Sequence, residues 1–135
     1  MRTNRKLFDK VRKLNLPAGH YLITGSGPLG IRNLRDMQDI DLLVSDMLWD
    51  SLAQNHEIFH ENGVQKIVID EIEAFGSKSF PEERGPSVST RLADAEIIDG
   101  LPFESLEHVI MFKRSQGREK DLKDLNLIEK WRHSS

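Results

Sequence analysis

The chain has no cysteine. That excludes disulfides, thiolate catalysis and cysteine-bound zinc, and it fits a cytoplasmic setting. Long apolar runs are missing too: none approaches the roughly 18 residues needed to span a membrane. The opening residues, MRTNRKLFDK, are charged but lead into no apolar segment, so they do not read as a signal peptide. Repeats and low-complexity tracts are likewise lacking. A large charge of one sign is also missing, since the net charge is only −3 and 38% of residues are apolar, which argues against disorder. What is present is 135 residues, enough for a single domain spanning 1–135 with a modest core.

The charges are unevenly placed. Residues 1–13 hold six Lys/Arg and one acid, residues 113–135 hold seven and four, and the middle holds six and 17. An acidic centre between basic ends can seat cations among carboxylates and phosphates among cations. The plainer reading is that both ends are solvated helix faces.

Periodicity gives a coarse map. Residues 3–14 read as an amphipathic helix with Leu7, Phe8, Val11 and Leu14 on one side, stopped by Pro17. HYLIT is a short strand. DIDLLVS alternates, with Ile40, Leu42 and Val44 on one face and Asp39, Asp41 and Leu43 on the other. A helix follows from Ser45 or Asp46, either of which can cap it, to about Asn55. Asn62-Gly63 marks a turn before a strand, and the segment ahead of it is the natural hairpin partner. Residues 76–90, with their Gly, Ser and Pro, read as a loop. Ser105 can cap a helix through about Gln116. Gly117 breaks it, and 118–131 form a last helix with Leu122, Leu125, Ile128 and Trp131 facing inward. Trp49 and Trp131 both read as core. The sum is α+β: helices around a small, partly antiparallel sheet.

The stretch from Tyr21 to Asp46, YLITGSGPLGIRNLRDMQDIDLLVSD, carries two competing patterns. Gly25, Gly27 and Gly30 spell G-x-G-x-x-G, with Asp46 placed 21 residues after Gly25, the outline of a dinucleotide site. Only eight mostly polar residues lie between Gly30 and Asp39, which is short for the required helix, and the next strand opens on carboxylates where a parallel inner strand would be apolar. With the dinucleotide pattern set aside, Gly27 and Gly30 read as loop permissiveness.

The second pattern is Asp39-Ile40-Asp41. Two aspartates at i and i+2 on a strand point the same way, roughly 7 Å apart. Their hard oxygen ligands suit Mg²⁺, which keeps few protein carboxylates and several substrate phosphates. A third carboxylate from a neighbouring strand would complete such a site, and VIDEIEAF offers Glu71 and Glu73 on one face. The loop GSGPLG offers backbone N–H groups and the Ser26 hydroxyl to phosphate oxygens. The bland alternative is a solvated strand face beside a plain turn.

Gly25-Ser26 followed by Asp39-Ile40-Asp41 with apolar flanks resembles the signature of the polymerase-beta-type nucleotidyltransferase superfamily. The resemblance is nearest to its small minimal members and toxin-type nucleotidyltransferase-like proteins. The tail LPFESLEHVIMFKRSQGREKDLKDLNLIEKW is similar to their closing segment, and the match spans roughly 20 to 131. It implies a nucleotidyltransferase fold: a small mixed β-sheet flanked by helices (about 18–100) and a C-terminal helical pair (about 104–132). It also implies that Gly25 and Ser26 hold nucleotide phosphates, that Asp39 and Asp41 bind Mg²⁺ or Mn²⁺, and that Glu73, with Glu71 second, is the third catalytic and metal-binding carboxylate. Lys113 and Arg118 would reach the nucleotide. The activity implied is metal-dependent transfer from a nucleoside triphosphate to a hydroxyl of a protein, RNA or small molecule.

Other functions stay open. One is a catalytically inactive domain that binds a nucleotide or a partner protein, as in a toxin–antitoxin pair. Another is an RNA-binding module using the basic ends. HEIFH (His56 to His60) spells a zinc-hydrolase pattern, but an adjacent Asn-Gly turn favours a strand, where histidines four apart sit about 13 Å from each other. Arg32 and Arg35 can contact phosphate or pair with nearby acids. Lys113, Arg118 and Lys120 can face a nucleotide or form ion pairs with Glu119, Asp121 and Asp124.

Overall fold

A computed structural model describes residues 2–81 and 85–134. The first helix, α1 (Arg2–Lys13), buries Leu7, Phe8 and Val11, as its spacing predicts. Strand β1 (Tyr21–Thr24) enters the glycine stretch, of which Gly27–Ile31 is a short helix, α2. Strand β2 (Ile40–Val44) returns antiparallel to β1. That direction removes the dinucleotide reading, which needs two parallel strands joined by a crossover helix. Asp39 lies just before β2 and is exposed.

Ser45 caps helix α3 (Asp46–Ala53) by accepting a bond from the Leu48 N–H. Asp46 is therefore not the cap: it sits in the first turn and accepts a bond from Ser77. Strands β3 (Ile58–Glu61) and β4 (Val64–Ile69) form the expected hairpin. Its turn residues Asn62 and Gly63 have φ of 51° and 78°, the left-handed pair that a tight two-residue turn demands. Strand β5 (Ile72–Phe75) pairs antiparallel with β4 and parallel with β2.

The stretch 76–90 is not all loop. Ser87 caps helix α4 (Val88–Ala93), which begins inside it; residues 82–84 of that stretch lie outside the described residues. Two strands unforeseen in the sequence follow, β6 (Glu96–Ile98) and β7 (Leu101–Phe103), and β7 lies parallel to β1. Among the described residues the result is one mixed sheet of seven strands, in the order β3-β4-β5-β2-β1-β7-β6, larger than the small sheet expected.

Helix α5 (Leu106–Gln116) is capped by Ser105 and ends at Gly117, whose φ of 60° forms a left-handed cap. It packs against α6 (Glu119–His133), giving the C-terminal helical pair. The inner face of α6 differs from expectation. Ile128 is buried and Leu125 partly so, but Leu122 is 58% exposed, and Asp121 and Asp124 are buried instead. Those aspartates can turn inward because cations meet them there. Trp131 is also largely outside, with the Arg32 guanidinium over its ring at 5.2 Å, whereas Trp49 packs on the core. No helix among the described residues is long and apolar enough to cross a membrane.

The main core gathers α1 with Ile40, Leu42 and Val44, and Phe8 meets Phe103 edge-on at 5.5 Å. A second core joins Leu29 of α2 to Leu106, Val109, Ile110 and Ile128. Gly27 and Gly30 serve this packing rather than loop freedom. Both are buried in α2 without a positive φ. A Cβ on Gly27 would stand 2.2 Å from Ile23 Cγ2, and one on Gly30 would stand 2.2 Å from Met37 Sδ. Ile23 is wholly buried and cannot step aside, so Gly27→Ala is expected to destabilise the fold by about 1–3 kcal/mol. Urea denaturation measures this; an unchanged midpoint would show that the helix-to-strand approach is looser than described.

Candidate functional site

Alternation sends one set of β2 and β5 side chains away from α1. Asp41 stands beside Glu73 in the parallel register, and Leu43 beside Phe75. On the other side of β2, Asp41 faces Thr24 of β1. This face floors a cleft of about 800 Å³, walled by Gly25, Asp41, Leu43 and Phe75 from the sheet and by Lys113 and Arg118 from the helical pair.

Gly25 is built into this floor. Its φ is +63°, and a Cβ there would lie 2.6 Å from Asp41 Oδ2. Any side chain would therefore push the carboxylate away, quite apart from backbone strain. Ser26, the next residue, precedes α2 and makes no capping bond with its hydroxyl.

Asp41 carries the strongest electrostatic signature. Burial raises its carboxyl, the charges of Asp39 and Glu73 raise it further, and so does a carboxyl–carboxyl hydrogen bond with Glu73. The Lys66 ammonium opposes them, and the outcome is a value of about 7. A carboxyl titrating near neutrality among like charges, in a cleft, marks a functional-site candidate.

Glu73 bonds Lys66 Nζ at 2.8 Å. Glu71 does not join the group: its carboxylate is tied to Lys10 of α1, and that pairing holds it below its ordinary range. Hard oxygen donors are thus present in Asp39, Asp41 and Glu73, and the mutual repulsion recorded at Asp41 suits a divalent cation. As placed, however, no three His, Asp or Glu side chains among the described residues are grouped to hold one. Asp39 and Asp41 fit by donor chemistry, while Glu73 is engaged by a lysine.

Lys113 and Arg118 reach the cleft but are already partnered. Lys113 Nζ lies 2.9 Å from Asp124 and 3.9 Å from Asp121. Arg118 grips Asp121 at 2.7 Å, which lowers the carboxyl of Asp121. Arg35 adds a third cation, 2.9 Å from Asp124. Three cations thus surround two buried carboxylates, and of the three Lys113 and Arg118 stand at the cleft. Arg32 points elsewhere, to Glu96.

One cluster has no counterpart in the sequence reading. Glu104 is completely buried, accepts a bond from Thr24 Oγ1 and is gripped by Arg91, whose guanidinium lies 4.7 Å from the centre of the Phe112 ring. Thr24, Glu104, Arg91 and Phe112 all line the cleft. Its sequence signal was slight: a lone Glu directly after an apolar Leu-Pro-Phe. The HEIFH histidines, by contrast, do not form a helical pair, since His60 is on β3 and His56 precedes it.

The fold is nucleotidyltransferase-like. The crystal structure of a Thermotoga maritima protein described as a "putative nucleotidyltransferase" matches with a TM-score of 0.54. The match covers 99% of this chain and 92% of that one, at 16% sequence identity. No family model matches the chain, and no curated protein does. At that identity the likeness speaks for the fold alone.

The shifted carboxyl has a thermodynamic consequence. Asp41 holds a proton in the folded state up to pH about 7, whereas its unfolded reference is 3.8. The stability linked to that proton is complete below the unfolded value and is lost as pH rises through the folded one. Asn mimics the protonated form, so Asp41→Asn is expected to gain on the wild type as pH rises from 4 to 7. A pKa unit is worth about 1.4 kcal/mol, and solvent at this partly exposed group trims the total to about 1–3 kcal/mol. Thermal melts without divalent cation across pH 4–8 test this; a pH-independent difference would contradict it.

Proposed function

We propose that this chain is a divalent-metal-dependent nucleotidyltransferase, moving a nucleotidyl group from a nucleoside triphosphate to a hydroxyl of a protein, RNA or small molecule. The observation that carries this reading is the placement of Asp41, set against Gly25 and beside Glu73 on the floor of the cleft. The nucleotidyltransferase-like fold supports it.

In this reading Asp39 and Asp41 hold Mg²⁺ or Mn²⁺. The ion when bound supplies Lewis-acid stabilisation of charge on the phosphate oxygens. The Gly25 backbone and the Ser26 hydroxyl, which makes no capping bond, would hold the phosphates. Lys113 and Arg118 close the opposite wall, and their positive charges favour the polyphosphate. The acceptor oxygen attacks the α-phosphorus, the bond from that phosphorus to the bridging oxygen breaks, and pyrophosphate departs with the bonding pair. Glu73 stands to accept the acceptor's proton as the new bond forms.

A second reading is favoured by two observations: among the described residues no three carboxylates are grouped for a metal as placed, and Arg91, Lys113 and Arg118 at the cleft are each paired with an acid. That arrangement suits a domain that binds a nucleotide, or a partner protein, without catalysis. RNA binding through α1 gains less support, because Lys10 and Arg12 pair with Glu71 and Asp9.

Incubation with each labelled nucleoside triphosphate and Mg²⁺, followed by a search for nucleotidylated product, tests the activity. Triphosphate binding is expected to require Mg²⁺ or Mn²⁺, and Asp41→Asn is expected to abolish that requirement along with any product. Metal-independent binding that Asp41→Asn leaves intact would favour the non-catalytic reading.

A further inference from the structure

Charged side chains on one face of the sheet step diagonally across four neighbouring strands. Asp41 is on β2, Glu73 on β5, Lys66 on β4 and Glu61 on β3. Lys66 Nζ lies 2.8 Å from Glu73 Oε1 and 3.2 Å from Glu61 Oε2. Its side chain is only 20% exposed, and that of Glu73 is 26% exposed. This is not a surface pair between mobile tips: both partners rise from central positions of paired strands, and the flanking β3–β4 hairpin brings in the second acid.

Glu73 could join Asp39 and Asp41 around a cation, but its oxygen already accepts from an ammonium. An ammonium is a compact point charge and can replace a metal ion electrostatically, though it cannot coordinate phosphate oxygens. We infer that Lys66 is the resident cation of this acidic cluster, standing at Glu73 where a second divalent ion would otherwise sit, so that the chain offers a one-ion site built on Asp39 and Asp41. The inference rests on the nucleotidyltransferase reading for its first ion. It goes beyond it by fixing the ion count and giving Lys66 a role as a positioning residue that keeps Glu73 out of the coordination shell.

Titration of the full chain with Mn²⁺ alone, followed by electron paramagnetic resonance, tests it directly. The wild type is expected to bind one ion, and Asp41→Asn to lose it. Glu73→Gln should weaken Mn²⁺ binding far less than Asp41→Asn does, because Glu73 lends the site its charge but is not a ligand while Lys66 holds it. Lys66→Met frees a carboxylate and removes a nearby positive charge, so it should bind roughly tenfold more tightly or take up a second ion. Combining Lys66→Met with Glu73→Gln should cancel most of that gain, and Lys66→Arg should behave as the wild type. A purely structural lysine would not produce the gain or its cancellation.

If Glu73→Gln weakens binding as much as Asp41→Asn, or if Lys66→Met binds as the wild type does, the inference is overturned while the nucleotidyltransferase reading stands. If no variant binds Mn²⁺ in an Asp41-dependent way, that reading falls and takes the inference with it. The Glu73→Gln arm decides the matter even where Lys66→Met does not fold, as far-UV circular dichroism would reveal.

Discussion

The Asp41 carboxylate rests against a glycine that has no room for even one more carbon, and the geometry of the cleft hangs on that contact. Gly25 adopts a left-handed φ and leaves its Cα bare beside Oδ2. The chain can then turn out of β1 into α2 without pushing the acid away. Antiparallel pairing of β1 with β2 fixes Asp41 beside Thr24, and parallel pairing with β5 fixes it beside Glu73. A half-buried carboxylate is thereby forced among its own kind. Its proton affinity rises because burial strips it of water and its neighbours repel its charge. A carboxyl raised in this way, set in a cleft, marks a functional-site candidate.

The remaining architecture answers that concentration of negative charge. On one side Lys66 meets Glu73. On the other, the helical pair presents Lys113 and Arg118, and Arg35 joins them from the segment between α2 and β2, around Asp121 and Asp124. These buried aspartates order the long cations and hold them at the cleft, at the cost of part of their charge. Arg91 is arranged on the same plan, with Glu104 beneath it and Phe112 beside it. The cleft thus has an acidic floor and a wall bearing cations, each held by internal partners.

Much of this was legible in the residues. The β2 alternation placed Ile40, Leu42 and Val44 in the core, and Ser105 and Gly117 bounded α5 as expected, because caps and periodicity are local physics. Gly25 was picked out by motif, but its contact with Asp41 is a long-range fact that spacing cannot reveal. The β6–β7 hairpin carried a signal in Asp99-Gly100, whose φ values of 53° and 76° are those of a tight turn. Strands of three residues, one containing Pro102, hid it. The inner face of α6 misled for a physical reason: Leu122 follows the apolar pattern, yet ion pairing to Lys113, Arg118 and Arg35 makes burial of Asp121 and Asp124 the better packing. Choosing between Glu71 and Glu73 needed register and partners, since Lys10 claims the first.

The central claim is that Asp41 is a carboxyl made reluctant to ionise by burial and by its acidic neighbours, and receptive to a cation. Carbon-13 NMR of the Asp41 carboxyl, followed from pH 3 to pH 9 with and without Mg²⁺, measures this directly. The account predicts a midpoint of about 7 in the absence of divalent cation, moving down when Mg²⁺ is added. A midpoint near the ordinary 3.8, indifferent to Mg²⁺, would contradict it.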